Sequence, residues 1–122
     1  MQKASHLLMI RPVNFSFNPE TAVNNAFQVA GEYVEAQEKA LKEFEYFVQL
    51  LTTNGMDVTI INDTPLPYTP DSIFPNNWIS FHERGIICLY PMFAPNRRQE
   101  RKPELIATLQ KKFNVSATVD LT

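Results

Sequence analysis

Glycine is scarce in this sequence, with three in 122 residues. A glycine-rich loop that cradles phosphates needs more of them over a short span, so no nucleotide-binding loop is read. Cysteine occurs once, at Cys88. An internal disulfide is therefore excluded, and a lone thiol fits a reducing, cytoplasmic setting. Histidine occurs twice, at His6 and His82, and no cluster has metal-ligand spacing. No metal or cofactor is expected. Neither sign of charge dominates: 11 basic residues against 13 acidic ones give a formal net charge of −2. That balance predicts no general attraction to nucleic acid or to an anionic membrane. Long apolar runs are missing too. Gly85 to Tyr90 is far too short to span a bilayer. His6 to Ile10, which ends at Arg11-Pro12, is too short for a secretory h-region.

What remains is the composition of a folded domain, 44% hydrophobic and 20% charged. His6 to Ile10 reads as a short buried strand. Asn14 to Asn25 mixes aromatics with turn formers and reads as an ordered excursion, a candidate lid. From about Gly31 to Asn54 the spacing predicts a helix. Leu41, Phe44, Val48 and Leu51 share one face, with Tyr33 and Phe47 on its flank. Glu35 with Lys39, and Glu38 with Lys42, are spaced for helix-face ion pairs of ~0.3–0.5 kcal/mol each. Asn54-Gly55 is a C-terminal stop. Met56 to Ile61 is a β-branched strand. Three prolines stiffen Thr64 to Pro70. Strands at Trp78 to Phe81 and Ile86 to Tyr90 flank a hairpin turn, His82 to Gly85, in which Gly85 supplies a positive φ. Pro91 to Asn96 reads as a loop. A helix follows from Pro103, with Leu105, Ile106, Leu109 and Phe113 as its apolar face, and Val115 to Leu121 reads as another strand. Strands alternating with helices predict an α/β or α+β class. A split βαβ sandwich is the competing arrangement.

The densest chemistry lies at Pro70-Asp71-Ser72-Ile73-Phe74-Pro75-Asn76-Asn77-Trp78. One carboxylate, two primary amides and two large aromatics sit in nine residues, as in a ligand-facing loop. The same residue types also build plain turns. A regular strand would put Asp71 and Asn77 on one face and Phe74 and Asn76 on the other. The segment is therefore expected to be irregular from Asp71 to Asn76, with a regular strand only from about Asn77.

With Asp71-x-x-Phe74-x-Asn76-Asn77 in place, and Arg97-Arg98-Gln99-Glu100 further on, the chain resembles the pentein superfamily of guanidine-modifying enzymes. The arginine-deiminase-related proteins, also labelled citrulline-utilisation hydrolases, are the nearest in pattern. They share Met9-Ile10-Arg11-Pro12, Asn14-Phe15, Asn24-Asn25-Ala26-Phe27-Gln28, Phe74-Pro75-Asn76-Asn77-Trp78 and Tyr90-Pro91-Met92. The resemblance implies a five-bladed α/β propeller of ββαβ units. Residues 1–122 would form about one and a half of these, the N-terminal portion of a single catalytic domain. It implies a cysteine-dependent hydrolase acting on a guanidino or ureido group, with catalysis by a thiolate and an imidazole. Neither Cys88, inside a strand pattern, nor His82, in a turn, nor His6 matches those two positions. Both are expected beyond Thr122, which would leave this portion inactive by itself.

Site roles implied by the resemblance fall on six residues. Asp71 matches the carboxylate that holds substrate nitrogens through charge-assisted bonds; a turn cap is the alternative. Asn76 and Asn77 stand where many relatives carry acids. An amide offers both donor and acceptor, whereas a carboxylate facing a ureido oxygen leaves a buried group unpaired at about 1–3 kcal/mol. A neutral substrate such as citrulline is thus expected to be preferred over arginine; backbone capping is the alternative. Arg97, or Arg98 because the preceding loop is one residue longer, matches the arginine that grips the substrate carboxylate. A solvated basic patch is the alternative reading of that pair. Phe74 is expected to wall the aliphatic chain. The expected partner is a small guanidino or ureido amino acid, with a homo-oligomer left open and neither nucleic acid nor membrane involved. An amidinotransferase of the same fold and a non-catalytic α+β binding module are the alternative functions.

Overall fold

The structure is a computed structural model that describes residues 5–13, 15 and 33–122. The candidate lid, all but Phe15, and the Asn24–Gln28 segment lie outside the described residues. The chain divides into two compact units, Met1–Ile73 and Phe74–Thr122, each described by itself.

The first unit is a βαβ element. β1 (His6–Arg11) and β2 (Asp57–Asn62) are direct parallel neighbours, with His6 opposite Asp57 and Arg11 opposite Asn62. Parallel pairing requires a crossover, and α1 (Tyr33–Thr53) lies between the two strands in sequence. Its predicted stop forms: Gly55 takes φ +86°, its N–H donates to Thr52 O, and Met56 N–H donates to Leu51 O. That pair of bonds satisfies two of the helix's last carbonyls. Phe44 is buried as expected, but Phe47 is half exposed. Neither of the expected helix-face ion pairs forms among the described residues. Glu45 instead receives Arg11 Nε at 2.7 Å. Arg11 also donates from Nη1 to Asn62 Oδ1 at 2.6 Å and places its guanidinium 5.9 Å from the Phe44 ring centroid. One arginine therefore joins β1, α1 and β2. His6 has partners the sequence does not reveal: its Nε2 hydrogen-bonds the buried Thr59 hydroxyl, and its Nδ1 lies 3.9 Å from Asp57.

The second unit runs β3 (Ile79–His82), β4 (Ile86–Leu89), α2 (Pro95–Arg98), α3 (Pro103–Lys112) and β5 (Ala117–Asp120). The sheet order is β3-β4-β5, with β4 antiparallel to β3 and parallel to β5. Apart from the short α2, the order is ββαβ. Ile79, Ile87 and Leu89 fill the core with Trp78 and Leu109 of α3. Phe113, just after α3, meets Phe81 at 5.0 Å between ring centroids. Two separate sheets, one with β1 and β2 as direct parallel neighbours, do not make the single sheet of the split βαβ sandwich. The class is a mixed α/β fold.

Three local expectations change. Pro91 to Asn96 is not all loop, since α2 begins at Pro95, where proline suits a first helical position. The hairpin turn carries two positive φ values, Arg84 at 64° and Gly85 at 72°. Only Gly85 is sterically required, because a Cβ there would stand 2.7 Å from the Asn114 carbonyl oxygen. Cys88, whose place in an apolar strand run reads as a buried, inert thiol, is half-buried.

Candidate functional site

Around the motif the backbone is irregular, as its residues predict. Ser72 N–H donates to Thr69 O, and the Ser72 hydroxyl donates to the same carbonyl at 2.9 Å, closing a turn that contains Asp71. Asp71 is buried, at 3% exposure, in the first unit. Pro75–Asn77 forms one 3₁₀ turn, and Asn77 and Trp78 donate back to Phe74 O and Pro75 O. The regular strand starts at Ile79, two residues later than expected. Proline at the start of the 3₁₀ turn breaks the alternation that would have split Phe74, Asn76 and Asn77 between faces. Those three residues are solvent-exposed.

Arg97 is the hub of the second unit's candidate site. It lies in α2, directly after Pro95-Asn96. Its Nε donates to Glu100 Oε2 at 2.8 Å and its Nη2 to Glu100 Oε1 at 3.1 Å. Both side chains are largely buried, at 11% exposure for Arg97 and 2% for Glu100. Two parallel bonds between a guanidinium and a carboxylate are the strongest geometry available to that pair. The remaining edge of the guanidinium faces the motif. Nη1 donates to Asn77 Oδ1 at 3.0 Å, and Nη2 donates to Phe74 O at 3.1 Å. The arginine therefore pins the 3₁₀ turn across twenty residues of sequence.

Arg98 points elsewhere. Its Nε donates to Met92 O at 2.8 Å and its Nη2 to Phe93 O at 2.9 Å. Its Nη1 makes no hydrogen bond among the described residues. Arg97 and Arg98 both line a cavity of about 310 Å³, together with Arg101, Trp78, Tyr90 and Met92. Thr122 completes that side of the lining. Of the three guanidinium groups, Arg97 and Arg101 already face the carboxylates of Glu100 and Asp120, so the charge that favours an anion here is that of Arg98. Arg101 Nη1 lies 3.5 Å from Asp120 Oδ1. The carboxyl of Asp120 is held below its ordinary value by the Thr122 hydroxyl, then the Thr122 N–H, then the Arg101 charge.

Three of the six expected site residues, Phe74, Asn77 and Arg97, belong to one hydrogen-bonded arrangement, and Arg98 shares only the cavity with Arg97. Asn76 is in the same 3₁₀ turn, and Asp71 is in the other unit. Glu100, Arg101 and Tyr90 escape the sequence reading. The i,i+3 spacing of Arg97 and Glu100 in a helical turn was the available signal for the first. A further polar cluster adjoins the cavity through Tyr90: the Ser80 hydroxyl bonds His82 Nε2 at 2.7 Å and Tyr90 Oη at 2.8 Å. Among the described residues there is no group of three potential metal ligands and no helix long and apolar enough to cross a membrane.

No match was found among curated proteins or among solved structures. One family model does match, and it extends over nearly the whole chain, taking in the 3₁₀ turn, Arg97 and the cavity. Residues 11–122 match the model described as N,N dimethylarginine dimethylhydrolase, eukaryotic, and the chain belongs to that family of guanidine-modifying hydrolases.

Proposed function

We propose that the chain supplies the substrate-holding part of a pentein hydrolase that acts on the guanidino or ureido carbon of an arginine-like amino acid. The observation that carries this reading is Arg97, which joins the amide of Asn77 to a cavity lined by three arginines. A ligand with a nitrogen-rich planar head and a carboxylate tail needs both chemistries. The tail is assigned to the cavity that Arg97 and Arg98 line, with Arg98 supplying the charge and its Nη1 the N–H donors. A guanidinium fork suits a carboxylate better than an ammonium does. Asn76 and Asn77 are assigned to the head and Phe74 to the aliphatic chain.

The chemistry proper is assigned to a cysteine thiolate attacking the head carbon and an imidazole moving the protons. Cys88 is not given that role, because it stands within β4 directly opposite Ser80 of β3. The nucleophile, the histidine and the remaining ββαβ blades of a five-bladed propeller are assigned to sequence outside residues 1–122. With two amides replacing acids, the head is proposed to be a neutral ureido group in preference to a guanidinium.

Isothermal titration of the chain tests this reading. L-Citrulline, L-arginine and N,N-dimethyl-L-arginine are titrated beside their α-carboxamides. Binding of at least one free acid is expected, with its carboxamide at least about tenfold weaker, because an arginine–carboxylate contact is charge-assisted. Arg98→Ala should abolish that difference. Binding of no free acid, or equal binding of acid and carboxamide, refutes the reading.

A further inference from the structure

We infer that Glu100 is a positioning residue that decides, through Arg97, which side of the Asn77 amide a ligand meets. The inference rests on the reading that a guanidino or ureido head lies at Asn77.

Glu100 is 3% exposed and holds Arg97 by two bonds, at 2.8 and 3.1 Å. A guanidinium held at both Nε and Nη2 cannot turn about its long axis, so the direction of Nη1 is fixed. Nη1 lies 3.0 Å from the side-chain oxygen of Asn77. A guanidinium has donors only, so the amide atom facing it must be the oxygen. Turning the amide by half a rotation would set its NH₂ against another donor. The Asn77 NH₂ is therefore directed away from Arg97, and Asn77 is solvent-exposed.

What Asn77 offers a ligand is then a two-hydrogen donor, and its complement is an acceptor atom. A ureido head has a carbonyl oxygen to place there. A guanidinium head has only N–H groups and meets the NH₂ donor to donor. Aspartate at this position would behave oppositely. One oxygen would still take Arg97, and the other would face outward as an acceptor for guanidinium N–H. Glu100, which is distant in role from any ligand atom, thus sets the polarity of the site.

The test uses the whole chain, ¹⁵N-labelled, with L-citrulline and L-arginine as probes. Dissociation constants come from titration calorimetry, and the Asn77 side-chain NH₂ pair is followed by NMR. The wild-type chain is expected to bind citrulline about tenfold more tightly than arginine, the usual scale for one mismatched polar contact. The Asn77 NH₂ signals should move with citrulline and stay with arginine. Glu100→Gln, with emission from the buried Trp78 confirming a folded unit, should bring the preference below about threefold, because a Gln amide cannot accept both Arg97 bonds. Asn77→Asp should invert the preference with Glu100 intact, which keeps the test decisive if Glu100→Gln does not fold. A wild-type preference for arginine, a folded Glu100→Gln with an unchanged preference, or an unchanged ratio in Asn77→Asp overturns the inference alone. Failure of the wild-type chain to bind either probe overturns the proposed function and this inference with it.

Discussion

Removing the Glu100 carboxylate should unfold the second unit or bring it close to unfolding. Glu100→Ala leaves the Arg97 guanidinium largely buried without its bidentate partner. Breaking a buried ion pair from one side costs about 3–5 kcal/mol. The stability of a small unit is of the same order, about 5 kcal/mol. Trp78 makes the measurement direct, since it is the only tryptophan, is 1% exposed and belongs to this unit. With a urea dependence of about 1–2 kcal/mol per molar, the midpoint read from Trp78 emission should fall by about 2 M or more. Glu100→Gln keeps the shape and loses the charge, so a smaller loss is expected, about 1.5–3 kcal/mol. Arg97→Ala strands a buried carboxylate and should cost as much as Glu100→Ala. The double variant should cost clearly less than the sum of the singles, with a coupling of about 2 kcal/mol. A midpoint shift under about 0.3 M for Glu100→Ala, or strict additivity in the double variant, would refute the claim that this pair organises the unit.

Two further expectations concern the β4–β5 side of the same unit. Gly85→Ala should destabilise it by about 2–4 kcal/mol, combining a positive-φ penalty with a Cβ set against a backbone oxygen; the same Trp78 titration checks this, and a loss under about 1 kcal/mol contradicts the geometry. Asp120→Asn probes pH dependence. The Asp120 carboxyl is held below its ordinary value by the Thr122 hydroxyl and N–H, so its contribution is fully present above the ordinary carboxylate value and is lost as the pH falls through the lower, folded one. The stability difference between wild type and Asp120→Asn should therefore shrink as the pH falls below the ordinary carboxylate range, and a difference that grows on acidification would reverse the sign of the argument.

The fold was legible where periodicity and local stereochemistry act alone. The stop at Asn54-Gly55, the helix after Pro103 and the irregular backbone around Pro75 all follow from the residues at hand. Non-local features were harder to read. Phe47 falls beside the apolar stripe of α1, yet it is half exposed. Spacing shows which residues share a face but not how wide a strip the strands cover. The Glu35–Lys39 and Glu38–Lys42 pairs fail for a related reason. An exposed pair is worth so little that its geometry is left to the solvent, whereas Glu45 gains from an arginine already fixed beside Phe44.

The candidate site shows the same division more sharply. Asp71, Phe74, Asn76, Asn77, Arg97 and Arg98 were readable as residue types suited to a planar nitrogen-rich head and a carboxylate tail. Their polarity was not readable, because it depends on bonds made across the sequence. Asn77 alone can present an oxygen or an NH₂. Only when Arg97 Nη1 is found on its oxygen does one of the two choices disappear. That bond depends in turn on Glu100, whose sequence neighbourhood has a solvated basic patch as its alternative reading. A buried carboxylate inside such a patch marks a cation that is being aimed, and the polarity of this site follows from where that cation points.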